Sequence, residues 1–142
     1  MFTHFLAAQD PIYLTVLREL SACAKRTHWM WFIFPQLAAL GRSPTAKQFG
    51  LENLAAARAY LAHPVLGPRL RECTATLLAA AESTGRSARA ILGAPDDLKL
   101  RSCLTLFEAA ATEADKPLFT RTLTHFFAGD RDPLTLNLIG RE

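Results

Sequence analysis

The feature that most constrains this chain is its choice of aliphatic side chains. It carries 24 Ala and 23 Leu against 2 Val and 4 Ile, so good helix formers outnumber the β-branched aliphatics about eightfold. Such a supply cannot line the interior of a sheet, and the expected fold class is all-α. The 142 residues are the size of one ordinary domain built on one core, so residues 1–142 are taken as a single compact helical domain. With 50% hydrophobic and 20% charged residues, the composition excludes a disordered tail or inhibitor.

Proline and glycine punctuate the chain at helix boundaries, since Pro is favoured at the first helical position and Gly just past the last. Asp10-Pro11, Ser43-Pro44 and Asp132-Pro133 each join a capping side chain to a proline, which predicts three helix starts. Ile12, Val16, Leu17 and Leu20 give the first of these an apolar face that runs to about Ala24. Thr3 is a candidate cap for a short turn through Ala8. Further helices are expected over Glu52 to Ala62, from Pro68 to about Ala81 after a corner at Pro64 to Gly67, and from Ser87 to Gly93. Asp96-Asp97 opens the clearest core helix, in which Leu100, Cys103, Leu104, Phe107 and Ala111 recur at helical spacing and the acids suit the N-terminal dipole. Lys116-Pro117 opens another. No run alternates as a strand would and no fixed-period repeat is present, so the total is about seven to nine helices, several of them short.

The formal charge of +3 and pI near 9.0 are mild, and the basic residues are interspersed with acids, so nucleic acid binding is not indicated. Cys23, Cys73 and Cys103 are odd in number and widely spaced, which suits free thiols in a reducing, cytoplasmic compartment. His4, His28, His63 and His125 lack metal-ligand spacing, and no glycine-rich nucleotide loop occurs, so neither metal nor cofactor is expected. The N-terminus has no basic, then apolar, signal-peptide pattern. The longest apolar run, Trp29 to Phe34, is far below the ~20 residues of a membrane span. Oligomeric state is left open by the sequence.

That apolar run belongs to the most distinctive block in the chain, His28-Trp29-Met30-Trp31-Phe32-Ile33-Phe34-Pro35-Gln36-Leu37. Together with Phe5, Ala8-Gln9, Glu19-Leu20, Lys25, Leu40-Gly41, Tyr60-Leu61, His63-Pro64-Val65-Leu66-Gly67, Lys99-Leu100-Arg101-Ser102 and Thr105-Leu106-Phe107, it resembles the bacterial domain-of-unknown-function family 1810 over nearly the full length. Cys23 stands where that pattern usually has Gly, and Ala39 replaces a Gly often found before Leu40-Gly41. The resemblance implies a small helical domain and no assigned catalytic residue. Members of the family often carry a calpastatin-like label, but calpastatin-type inhibitors are long, disordered and charged. A chain of this composition does not fit calpain inhibition.

The aromatic block is too apolar to be solvent-exposed, so it is buried as a short helix or extended segment. Within it, Trp31 offers a flat face for a planar ligand, and His28 is the one group poised to act as an acid or base near neutral pH; alternatively both Trp rings are core and His28 bonds a nearby backbone. Gln36 either pins the backbone or points at a ligand, because a buried amide without a partner costs about 1–3 kcal/mol. Lys99, Arg101, Ser102 and Thr105 form a polar helix face that is either a solvated surface or an anion site, with Lys25 and Ser43 as further contributors. The leading reading is a small polar or planar ligand held in a cleft between Trp29–Gln36 and Lys99–Thr105. Its ligand-binding residues are Lys25, Trp31, Gln36, Ser43, Lys99, Arg101, Ser102 and Thr105. In an enzymatic version, a hydrolase or transferase acts on a nucleotide-like metabolite with His28 catalytic. The rival is a non-catalytic protein-interaction domain.

Overall fold

The computed structural model describes residues 1–141. Ten α-helices follow one another: α1 (Thr3–Gln9), α2 (Tyr13–Ser21), α3 (Met30–Ile33), α4 (Pro44–Gln48), α5 (Leu54–Ala62), α6 (Leu66–Thr84), α7 (Ala88–Leu92), α8 (Asp96–Ala110), α9 (Lys116–Phe127) and α10 (Pro133–Ile139). A 3-10 turn, Ala38–Leu40, lies between α3 and α4. Seven of the helices reach seven residues, and the other three are shorter. Among the described residues the sole extended pairing is an isolated bridge between Leu37 and Leu51.

The core helix is α8, which packs against α5, α7, α9 and α10. Leu100, Cys103, Leu104 and Phe107 are fully buried as their spacing requires, and so is Leu106, off that stripe, because helices surround α8 on several sides. Phe107 meets Tyr60 of α5 and Phe119 of α9. Each such fully buried large side chain stabilises the fold by about 1.5–3 kcal/mol relative to an exposed one.

Among the described residues, side-chain capping marks four helix starts, those of α4, α5, α7 and α10. Ser43 Oγ accepts from Ala46 N at 3.1 Å, Ser87 Oγ from Ala90 N at 3.1 Å, and Asp132 Oδ2 from Thr135 N at 3.0 Å. Three expected starts move, that of α5 from Glu52 to Leu54 behind its Asn53 cap and two others by more distant contacts. Asp10 is the C-cap of α1, its N–H bonded to Leu6 O and its carboxylate paired with Arg69 at 2.8 Å, so α2 begins only at Tyr13. The corner at Pro64 to Gly67 is shorter than expected, since α6 starts at Leu66 and holds Pro68 in its first turn, where no intrahelical N–H is needed. Gly67 permits this: a Cβ there would lie 2.1 Å from Leu61 O.

Two devices position the aromatic block. Burial opposes ionisation of Glu19 on α2, but its carboxylate accepts Arg26 N at 2.7 Å, Thr27 N at 3.1 Å, Thr27 Oγ1 at 2.7 Å and Trp29 Nε1 at 3.0 Å, which together hold its pKa down to about 2. The α2–α3 turn is thereby fixed, and within it Cys23 adopts φ +54°, the left-handed region where glycine is at ease. At the other end of the block, Leu51 N donates to Gln36 O and Ala38 N to Leu51 O, at 2.9 and 2.8 Å. Gly50 lets these strands of chain touch, because a Cβ there would meet Ala38 Cα at 2.3 Å. Trp29, Met30, Ile33, Phe34 and Leu37 are buried, whereas Trp31 and Phe32 are half-buried.

Candidate functional site

A cleft of about 560 Å³ opens between two walls. One wall comes from α3, the extended segment after it and the approach to α4, and supplies Trp31, Gln36, Leu40, Gly41, Arg42, Ser43 and Ala46. The other comes from the start of α8 and of α10, and supplies Pro95, Leu98, Lys99, Arg101, Ser102, Asp132 and Leu134. The wall of α8 is anchored from behind: Asp132 N donates to Thr105 Oγ1 at 3.0 Å, and Ser102 Oγ lies 3.2 Å from Asp132 Oδ2, so α10 is clamped to α8 where the cleft begins.

Six of the nine residues singled out from sequence therefore share one cleft: Trp31, Gln36, Ser43, Lys99, Arg101 and Ser102. Lys25, His28 and Thr105 are outside its lining. His28 is exposed, makes no hydrogen bond to another described residue and is absent from the cleft lining, so it does not pin the backbone. Thr105 is buried, donates to Arg101 O at 2.8 Å and serves the α8–α10 clamp. The expected polar face of α8 is thus no solvated surface at Ser102 and Thr105, since α10 covers it. Lys25 is half-buried behind Trp29, with its ammonium 5.1 Å from that ring and 3.1 Å from Asp96.

The polar groups in the lining differ in how far protein partners satisfy them. The Gln36 carboxamide makes no hydrogen bond to another described residue, and the pinning in this segment is done by its backbone carbonyl instead. Arg42 is exposed and, among the described residues, has no ion-pair partner. Arg101 reaches Asp130 at 3.2 Å and Asp132 at 3.6 Å, while its buried Nε has no hydrogen-bond acceptor among the described residues. Asp130 is 73% exposed, so solvent weakens the shorter of these pairs. Lys99 Nζ sits 5.1 Å over the Trp31 ring and 3.5 Å from Asp96. Apolar surface comes from Leu40, Pro95, Leu98 and Leu134, with Leu98 and Leu134 52% and 62% exposed at the mouth. An amide, cations and one indole face beside apolar walls are the components that orient a small molecule.

Sequence reasoning missed Arg42 and Asp132 as lining residues. Arg42 carried a usable signal, since a residue between a glycine stop and a Ser-Pro cap must sit in an exposed turn. Asp132 was legible only as a helix cap, because its approach to Ser102 and Arg101 spans about 30 residues of chain. Among the described residues no cluster of His, Cys, Asp or Glu has the makings of a metal site, and no helix is long and apolar enough to cross a membrane.

The sequence matches, over residues 1–139, the model of a family described as proteins of unknown function, DUF1810, and the chain belongs to that family. A solved crystal structure, that of the conserved hypothetical protein Rv1873 from Mycobacterium tuberculosis, is similar throughout. The two chains are 46% identical, the match covers 97% of this chain and 95% of the other, and the TM-score is 0.91. No curated protein matches the sequence.

Proposed function

We propose that this member of the family binds a small polar ligand with a planar portion in the cleft between α3 and α8. The carrying observation is the Gln36 carboxamide, a polar group in an otherwise apolar segment that lines the cleft and has no hydrogen-bond partner among the described residues. The half-buried Trp31 ring supports a planar portion, and Arg42, Lys99 and Arg101 support polar recognition around it. Ser43 and Ser102 stand as orienting hydroxyls. A nucleotide-like metabolite meets this description. Hydrolysis or group transfer on such a molecule requires an available acid–base group at the ligand; His28 stands outside the lining and the Asp132 carboxylate is engaged by Ser102, Thr135 and Arg101, so binding alone is proposed. Three buried free thiols support a reducing, cytoplasmic setting.

A thermal-shift screen of the full chain against a metabolite collection tests this reading, because a ligand that binds only the folded state raises Tm by mass action. Hits are expected to be planar and polar, and to lose their effect in Trp31→Ala and Gln36→Leu. Hits that persist unchanged in both variants, or a collection without hits, would count against it. The exposed Leu98 and Leu134 at the mouth favour a second reading, in which the same cleft takes an apolar side chain of a partner protein.

A further inference from the structure

We infer that the cleft selects a planar ring bearing an anionic group, and that Lys25 sets this selectivity from outside the cleft by neutralising Asp96 so that Lys99 can leave it. The inference rests on the binding reading above and adds the ligand's charge and a positioning residue.

The Asp96 carboxylate, at the start of α8, faces two ammonium groups. Lys25 Nζ lies 3.1 Å from Oδ2 and Lys99 Nζ 3.5 Å from Oδ1. The two lysines are not held alike. Lys25 has a side chain only 8% exposed, its backbone N–H donates to Ile91 O at 2.8 Å, and its ammonium also lies over the Trp29 ring. Lys99 makes the longer contact, is more exposed, and rests its ammonium over Trp31, the ring that lines the cleft. One carboxylate neutralises one cation, so Lys25 and Asp96 form the fixed pair and Lys99 is the surplus charge.

A ring that stacks on Trp31 must displace the Lys99 ammonium from its face, which forfeits a cation–π contact. A neutral ring returns nothing for that loss. An anionic ring becomes the new partner of Lys99, and Arg42 on the opposite wall is a second cation that pairs with no acid among the described residues. Carboxylate and phosphate share this chemistry. Without Lys25, Asp96 would keep Lys99 as its sole counter-ion, and the anion preference would fall although no lining residue had changed.

The test is calorimetric titration of the full chain with 2-naphthoate, 2-naphthyl phosphate and neutral 2-naphthol, which share one ring system. The expected result is that at least one anion binds about tenfold or more tighter than 2-naphthol, the size of one charge-assisted contact. The ratio of the two anions distinguishes carboxylate from phosphate. Lys99→Met should reduce the preference several-fold, Arg42 keeping the remainder, and should raise 2-naphthol affinity, since no ammonium then has to leave the Trp31 face. Lys25→Met should reduce it, and the double variant Lys25→Met/Asp96→Asn, in which no charge at position 96 retains Lys99, should restore it. Should Lys25→Met alone fail to fold, the charge-balanced double variant and Lys99→Met still decide. Binding of all three probes with equal affinity would overturn the inference and leave the binding reading standing. An anion preference that Lys99→Met leaves undiminished, or a Lys25→Met loss that the double variant does not rescue, would also overturn it. No binding of any probe would overturn both.

Discussion

Replacing Glu19 with Gln perturbs the turn that delivers the aromatic block to the cleft. Its carboxylate receives four hydrogen bonds, three on Oε1 from Arg26 N, Thr27 N and Trp29 Nε1, and one on Oε2 from Thr27 Oγ1. A Gln oxygen retains acceptors for the first oxygen's donors but loses the charge, and its NH₂ group faces the position of Oε2. The lowering from 4.5 to about 2 corresponds to roughly 3 kcal/mol of preference for the ionised form in the folded chain, an upper figure because part of it is solvent-screened. Glu19→Gln is therefore expected to destabilise by about 2–3 kcal/mol at pH 7. The folded-state pKa is depressed, so this contribution is complete above the unfolded carboxyl's pKa and fades as pH falls through about 2. Urea denaturation of both proteins at pH 7 and pH 3, with m-values compared, measures it. The difference between them should shrink to about half or less at pH 3. A gap below about 0.5 kcal/mol at pH 7, the size of an ordinary surface change, would refute the reasoning. So would a gap that is the same at both pH values.

Gly67→Ala places a Cβ 2.1 Å from Leu61 O and should cost about 2 kcal/mol or more by forcing α5 and α6 apart, read as a lowered urea midpoint. Asp132→Ala removes the α10 cap and the acceptor of Ser102, with an expected loss of about 1–3 kcal/mol in the same assay. Gln36→Ala and His28→Ala leave no donor or acceptor unpaired among the described residues, so each should change stability by less than about 0.5 kcal/mol. Losses near 2 kcal/mol would restore backbone pinning as their role. Burial pushes the Cys73 thiol up to about 12 and that of Cys103 well above its ordinary value, so both should resist thiol reagents in the native state and react fully after unfolding.

The helical architecture was legible because aliphatic composition, Ser-Pro and Asp-Pro caps and glycine stops all act locally. Leu100, Cys103, Leu104 and Phe107 are buried because a 3.6-residue period places them on one face, a property a single segment displays by itself. Burial of Ser102 and Thr105 could not be read this way, since α10, about 30 residues later, covers them. Asp10-Pro11 misled because Asp10 continues α1 and spends its carboxylate on Arg69, a partner distant in sequence. At Cys23, where the family pattern usually has Gly, the sequence marked the position but not its conformation, and the φ of +54° is the left-handed backbone that a glycine takes without strain. For the cleft, chemistry-bearing residue types in Trp29–Gln36 and Lys99–Thr105 drew attention to both walls. Which side chains face the gap depended on packing: Lys25 turns behind Trp29, while Arg42, an unremarked turn residue, enters the lining.

The most direct measurement of the central claim follows the two indole N–H signals of nitrogen-15-labelled protein by NMR during titration with 2-naphthoate. Trp29 Nε1 is buried and bonded to Glu19, whereas Trp31 lines the cleft, so one indole serves as an internal reference for the other. The expected result is a saturable shift of the Trp31 signal, abolished in Trp31→Phe along with the signal itself, while Trp29 stays in place. A Trp31 signal that does not move at saturating probe, or movement confined to residues away from α3 and α8, would contradict ligand binding in this cleft.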